Sequence, residues 1–411
     1  MIKKILLSSF ILLSLHSFAQ EGTASPYSFY GIGNVKFQGT VENKSMGGLG
    51  ILPDSIHVNL QNPASLSALK LTSFGVAGTY NKESLNSASS SEKARRTSLD
   101  YLVMAFPLGK LGLSLGMMPY SSVGYKIQNT DASGNGSRYS GTGGVNKVFV
   151  AAGYQITPKL SVGGDLGYNF GKIEANSTAF MSNAQYGSRE LNTNEYSGIS
   201  LNAGLIYKTK FKKYDLVSSL TLSPSTSLNS SNQKNLAVIT YTSSGSERIW
   251  DSKDILVSDS KIKLPTKLSF GGGLGEIKKW FVGFESTFQG TSNFGNKYAS
   301  NVSFKNAVKF SLGGYYTPNY NSFSNYFNKV TYRAGLRSES TGLVINNQSI
   351  NDSALTLGLG LPVGGAFSNI NLGLEYGKRG TTNAGLIREN YLNMSIGMSF
   401  NDKWFVKRKF D

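Results

Sequence analysis

From residue 71 onward, apolar and polar side chains alternate in one segment after another. The pattern is plainest near the C-terminus, where Leu392, Met394, Ile396, Met398 and Phe400 interleave with Asn393, Ser395, Gly397 and Ser399. Successive side chains of a strand point to opposite faces, so a period of two predicts a strand with one greasy face and one small, polar face. The same alternation runs through Leu355, Leu357, Leu359 and Leu361, through Ile370, Leu372, Leu374 and Tyr376, and through Trp280, Val282 and Phe284. It recurs in Leu160, Val162, Leu166 and Tyr168 and in Leu111, Leu113, Leu115 and Met117. The strands predicted this way lie near 71–80, 97–107, 111–127, 144–157, 158–173, 194–209, 213–227, 263–276, 279–290, 305–317, 328–342, 352–364, 368–380 and 388–400. Their number, fourteen, is even, as single-chain bacterial barrels require.

A soluble sandwich also alternates, so three further features decide the fold class. Strands of ~10 to 15 residues suit a tilted membrane span, for which ~9 to 11 residues cross the hydrocarbon. Connections alternate in length. Short ones are expected at Gly109-Lys110, Thr157 to Lys159, Phe211 to Tyr214, Ile277 to Lys279 and Gly364 to Phe367. Polar external loops are expected at 81–96, 128–144, 173–193, 228–261 and 290–304. Short turns on one side and long loops on the other mark outer-membrane barrels. Tyr80, Tyr120, Tyr154, Tyr207, Tyr316 and Tyr391 fall at predicted strand ends, as in an interfacial aromatic girdle. The expected fold is all-β: an antiparallel transmembrane barrel of about fourteen strands over 71–400, in a porin-like, Gram-negative outer-membrane setting.

The first residues read differently. Met1 to Lys4 is basic, Ile5 to Leu15 is apolar, and Ser17-Phe18-Ala19 offers small residues ahead of Gln20. Residues 1–19 therefore form a cleavable secretory signal peptide. Residues 20–70 do not alternate. Gly112, Gly116, Gly163, Gly167, Gly204, Gly271, Gly273, Gly313, Gly335, Gly358 and Gly360 fall on the inward face of their strands. Strand glycines often mark close backbone approach, so 20–70 is expected to lie in the lumen as a plug.

Composition narrows the chemistry. The 411 residues include no Cys, two His and 47 Gly, and 41 basic against 24 acidic side chains give +17. Charged residues are only 16 % of the chain, so the excess reflects scarce acids and nucleic acid is not an expected partner. Without Cys there is no disulfide, thiol nucleophile or Cys-ligated metal. His57 is the one imidazole outside the signal peptide, which leaves no recognisable catalytic or metal constellation, and no cofactor or enzymatic activity is expected. Gly31-Ile32-Gly33 follows no strand and lacks the third Gly of a phosphate-binding loop.

Several motifs carry a family resemblance. Ser25-Pro26-Tyr27-Ser28-Phe29-Tyr30-Gly31-Ile32-Gly33, Ser45-Met46-Gly47-Gly48-Leu49-Gly50 and Asn62-Pro63-Ala64 resemble the hatch of the FadL/TodX long-chain fatty acid and hydrocarbon transporters. Lys263 to Gly271, Lys279 to Gly283 and Tyr315 to Asn319 are similar to that family's proline-led strand, Trp-led strand and tyrosine–threonine–proline turn. The resemblance implies a fourteen-stranded barrel with an N-terminal hatch, whose plug motif here is Asn62, Pro63 and Ala64. The opening motif is most similar to FadL-like barrels of Bacteroidota, some of which serve secretion or outer-membrane assembly machinery.

The registers place Lys147, Asp165, Lys267, Glu285, Lys309, Arg333, Arg337 and Glu375 on the lumen face. They form either an anion-binding wall or ion pairs that hold the plug, and the second is preferred because charges away from water need partners. Arg333 and Arg337, four apart, are expected to grip two plug groups. Lys93, Arg95, Arg96 and Arg138 fall in the predicted external loops, where lipopolysaccharide phosphates could meet them. The tail 401–411 is basic and cannot complete a lipid-facing strand, so Trp404, Phe405, Lys407, Arg408 and Lys409 are candidate periplasmic contacts for a partner. Two functions fit. One is passive uptake of a hydrophobic small molecule; the other is a non-transporting barrel subunit or docking platform of an envelope protein complex. Outer-membrane lipid and lipopolysaccharide are expected neighbours under both.

Overall fold

The computed structural model describes residues 22–242, 244, 246–293, 301–322, 324–363 and 368–403. The predicted signal peptide, the predicted turn Gly364 to Phe367 and the candidate contact residues Trp404, Phe405, Lys407, Arg408 and Lys409 lie outside the described residues.

Fourteen antiparallel strands close into one barrel. They are β1 (Thr72–Asn86), β2 (Ser91–Leu108), β3 (Leu111–Thr130), β4 (Gly136–Gln155), β5 (Leu160–Phe180), β6 (Gly187–Phe211) and β7 (Tyr214–Ser223, resuming as Thr226–Tyr241). There follow β8 (Glu247–Leu256, Ser260–Leu264 and Lys267–Glu276), β9 (Trp280–Gln289), β10 (Ala307–Tyr316), β11 (Thr331–Ile345), β12 (Gln348–Val363), β13 (Ser368–Arg379) and β14 (Arg388–Asp402). β14 pairs with β1 from Arg388 opposite Asn86 to Asp402 opposite Thr72, which closes the ring. Two short strands, Asn34–Val35 and Val302–Phe304, add to β3 and β11.

The alternation does what lipid demands of it. Leu166, Leu201, Val282, Phe284, Leu336, Leu357, Met394 and Ile396 are exposed on the outside, and their sequence neighbours are small, polar or buried within. A belt of such side chains can rest only in hydrocarbon, and away from the β2–β3 junction the spans satisfy their backbone groups on their neighbours. Tyr80, Tyr154, Tyr207 and Tyr316 point outward. Tyr391 and Tyr120 depart from the predicted girdle. Tyr391 is buried and its hydroxyl bonds Asp352 in the lumen at 2.6 Å, and Tyr120 packs on the inner cluster of Ile32 and Val123. Tyr391 alternates with the outward Leu392, so its parity points inward.

The predicted external loops need a larger correction. Strand continues through most of 81–96, 128–144, 173–193 and 228–261, and the connections shrink to 87–90, 131–135, 181–186 and 242–246. Above the lipid belt both faces of a hairpin meet water, so Ser, Thr and Asn fill both and the period-two apolar signal stops while the hydrogen-bonded ladder goes on. Lys93, Arg95, Arg96 and Arg138 accordingly sit on strands β2 and β4.

One seam interrupts the wall. β2 and β3 pair only between 102–108 and 111–117. Above that, β2 pairs with β1, while β3 pairs with β4 and with Asn34–Val35. The N-terminal segment thus supplies β3 with a partner at Ser121 and Ser122, and the Lys36 amide continues that ladder to the Tyr120 carbonyl at 2.9 Å.

Candidate functional site

The lumen is the candidate site, and residues 22–71 occupy it. Ser25 caps a short 3-10 turn at Pro26–Phe29, Thr40 caps α1 (Val41–Lys44), and Asn62 caps a second 3-10 turn at Pro63–Ala68. Each cap satisfies an orphan amide of a turn too short to stand alone. The segment touches strands on opposite sides of the ring: Leu66 against Gly112 of β3, Ala64 against Gly163 of β5, Met46 against Gly313 of β10 and Val41 against Gly397 of β14. A segment in contact with opposite walls of a closed barrel lies inside it.

Side-chain absence makes this seat. A Cβ at Gly335 would stand 2.2 Å from the Gly47 nitrogen, and one at Gly313 would stand 2.3 Å from the Met46 carbonyl oxygen. Gly47 itself has φ 71, a left-handed conformation that glycine adopts freely. Its amide donates to Thr356 Oγ1 at 2.9 Å, and that hydroxyl donates to the Ser45 carbonyl at 3.1 Å. The motif Asn62-Pro63-Ala64 is anchored the same way. Asn62 is fully buried, accepts from the Ala64 amide at 3.0 Å and donates to Ser219 Oγ at 2.8 Å.

The eight lumen-face charges divide between two tasks. Glu285 accepts from the Gly50 amide at 2.8 Å, and Glu375 lies 3.7 Å from Lys44 of α1, so both reach the inner segment. Arg333 donates to Asn371 at 3.0 Å, and Asn371 donates in turn to Glu42 of α1 at 2.7 Å. Lys147 pairs with Asp165 at 2.6 Å along the wall. Lys309 stands 5.9 Å from the centre of the Phe37 ring, and Lys267 lines the same cavity.

Arg337 differs from expectation. Its partners are wall groups: Glu375 at 2.7 Å, Tyr391 at 2.7 Å, and Asp352 and Glu339 each at 3.4 Å. Arg379 joins this cluster, 2.8 Å from Asp352 and 3.7 Å from Glu389, and Glu389 accepts from Ser25 of the inner segment. Asp352, Arg379 and Glu389 were not singled out from the sequence, because the apolar alternation ends before them. Carrying the inward parity of Thr356 and Ala354 two residues further back would have found Asp352.

The inner segment holds a second charged cluster. His57 Nδ1 lies 3.1 Å from Asp54, and its Nε2 lies 3.8 Å from Glu42. Burial alone would lower the imidazole pKa, but the charge and hydrogen bond of Asp54, aided by Glu42, outweigh it and raise it above the usual value. A raised folded value means the stabilisation is complete below the unfolded pKa of about 6.5 and is lost as pH rises through the folded value. Hydrogen-exchange protection of residues 50–60 should therefore fall from neutral to mildly alkaline pH, and His57→Gln should abolish that pH step. Unchanged wild-type protection across this range would rule the His57 latch out.

Between segment and wall remains a cavity of about 470 Å³. Lys147, Asp165, Lys267, Glu285, Lys309 and Glu339 line it, beside Phe37 and Leu60 of the segment. No His, Asp and Glu group suited to a metal ion occurs among the described residues.

The barrel has the architecture of known outer-membrane channels. The CymD monoaromatic hydrocarbon channel is similar over 91 % of this chain and 99 % of its own, with a TM-score of 0.60 and 14 % identity. The Ralstonia pickettii toluene transporter TbuX matches over 89 % and 99 %, with a TM-score of 0.60 and 15 % identity. A Pseudomonas aeruginosa FadL homologue matches over 88 % and 97 %, with a TM-score of 0.56 and 10 % identity. At such identities the likeness shows a FadL-like barrel fold and nothing finer. No curated protein matches the sequence. The family model described as BamG matches residues 1–411, the whole length, and the chain therefore belongs to the BamG family.

Proposed function

We propose that this chain is a plugged outer-membrane barrel, of the Bacteroidota type, that serves as a subunit or docking platform of an outer-membrane protein assembly or secretion complex. The observation that carries this reading is the seating of 22–71. The segment is bonded to walls on opposite sides of the lumen through Glu285, Glu375, Glu389, Asn371 and Ser219, and charged side chains line the space beside it. An apolar solute crossing that space would strip water from charges at several kcal/mol each. The whole-length match to the BamG family also supports an assembly role. β14 ends at Asp402 on the short-turn, periplasmic side, and the sequence beyond it carries Trp404, Phe405, Lys407, Arg408 and Lys409, the contacts proposed for a partner.

A second reading, passive uptake of hydrophobic small molecules, is favoured by one observation: the fold is shared with proteins described as a monoaromatic hydrocarbon channel and a toluene transporter. Affinity purification in mild detergent, followed by protein and lipid mass spectrometry, separates the two. The docking reading expects envelope proteins in stoichiometric amount and no co-bound apolar ligand. A bound apolar ligand without partner proteins would replace it with uptake.

A further inference from the structure

One stretch of the outer wall carries cations and no carboxylate. Across β13, β14, β1 and β2, outward positions form successive rows. Leu374, Met394 and Tyr80 end the lipid belt; the next row is Tyr376, Leu392, Lys82 and Arg95; the one above is Lys378, Asn390, Ser84 and Lys93. Arg388 stands above these, opposite Asn86. The wall thus passes from apolar to basic within two rows, beneath the long hairpins that face the cell exterior. Of the nearby carboxylates, Glu83 and Glu389 are buried on the lumen side, and the exposed Glu92, opposite Leu85, takes the inward parity of β2, alternate to Lys93 and Arg95.

Two details show a band built for an anion. Lys82 and Arg95 are directly opposite each other, an arrangement that destabilises a sheet unless something negative lies between. Lys82, Lys93, Arg95 and Lys378 are exposed, and the half-buried Arg388 has an Nε enclosed without a hydrogen-bond partner. Among the described residues, none of the five has an ion pair with a carboxylate, whereas Lys172 on β5 is matched by Glu174 at 2.7 Å. We propose that this band binds the phosphate groups of an outer-leaflet glycolipid. Its acyl chains would lie along Tyr80, Tyr376 and Met394, the guanidinium forks and ammonium groups would hold phosphate, and Asn390, Ser84 and Asn86 would meet sugar hydroxyls.

The test places the full mature chain in phosphatidylethanolamine vesicles containing lipid A, either diphosphorylated or dephosphorylated, and measures glycolipid retained per barrel after mild detergent extraction. Wild type should retain the phosphorylated form and little of the other, and millimolar inorganic phosphate should not displace it. A chain with Lys82→Gln, Lys93→Gln, Arg95→Gln, Lys378→Gln and Arg388→Gln should retain about tenfold less or lower still. The pair Lys82→Gln and Arg95→Gln, which removes only the opposed cations, should fold as well as wild type by heat-modifiable migration and show part of the loss. Equal retention by wild type and variants overturns the proposal. So does retention indifferent to lipid phosphate, complete displacement by free phosphate, or loss of an acidic protein partner with lipid retention unchanged.

Discussion

Arg337→Met should unfold far more readily than the wild-type barrel, with a loss of about 3–5 kcal/mol, the range seen when one member of a buried charge cluster is removed. The guanidinium neutralises Glu375 and Asp352 together, and both carboxylates are almost wholly buried. Without it Asp352 keeps Arg379 at 2.8 Å, but Glu375 is left with the neutral Asn393 amide at 2.9 Å and, among the described residues, Lys44 at 3.7 Å as its one cation. The temperature at which heat-modifiable migration is lost reads the effect, and Arg337→Met with Glu375→Gln should recover part of it, since the two act on one network. By contrast Lys172→Gln, which breaks a half-exposed outer pair, should leave that temperature almost unchanged. A change that small in Arg337→Met would mean the lumen cluster is hydrated and the ion-pair account fails.

The double variant Gly313→Val and Gly335→Val should expel the inner segment while leaving the barrel closed. Each new side chain begins with a Cβ 2.2–2.3 Å from backbone atoms of Met46 or Gly47, which no side-chain adjustment relieves. Overpacking costs about 1–3 kcal/mol at each site, and the segment, which packs on the wall through Val41, Ile51 and Leu66 but is not woven into the closed ring of strands, is the part able to yield. Trypsin should then cut at Lys44, protected in wild type, and planar bilayers should show ion conductance absent before. A chain that stays protected and silent would place the seating energy elsewhere.

The barrel was legible because lipid imposes a rule the sequence must obey residue by residue. Outward Leu, Phe and Met alternate with inward Gly and Ser wherever hydrocarbon touches the wall, so strand number and closure follow from counting. Features that no apolar surface dictates were hidden. The outer hairpins of β1 to β8 are strand by backbone pairing alone, and their Ser, Thr and Asn on both faces read as loop. Asp100, which lines the lumen cavity and accepts from the Thr79 hydroxyl, was obscured by a local irregularity: Gly78 faces Leu99 and Ala77 faces Tyr101, so Asp100 is an extra residue in β2 and the parity changes across it. The lumen charges on spans with clear alternation could be placed from parity. Their partners could not, because contacts such as Glu389 with Ser25 join the two ends of the chain, and no local pattern carries a relation of that length.

That relation sets an order of events in folding. Ser25 meets Glu389, Val41 meets Gly397 and Met46 meets Gly313, so the segment that leaves the ribosome early has binding partners that leave it last. Its docking pays a loop-closure cost that nothing local offsets, which makes it a late step on a slow, non-local route. Until β10 to β14 are in place the N-terminal segment has no complete seat, and β2 and β3 stand apart at the seam where Asn34–Val35 later pairs with β3. An incompletely inserted chain therefore exposes unpaired strand edges and a free N-terminal segment together, a state that a chaperone or insertion partner could recognise and one that vanishes on completion.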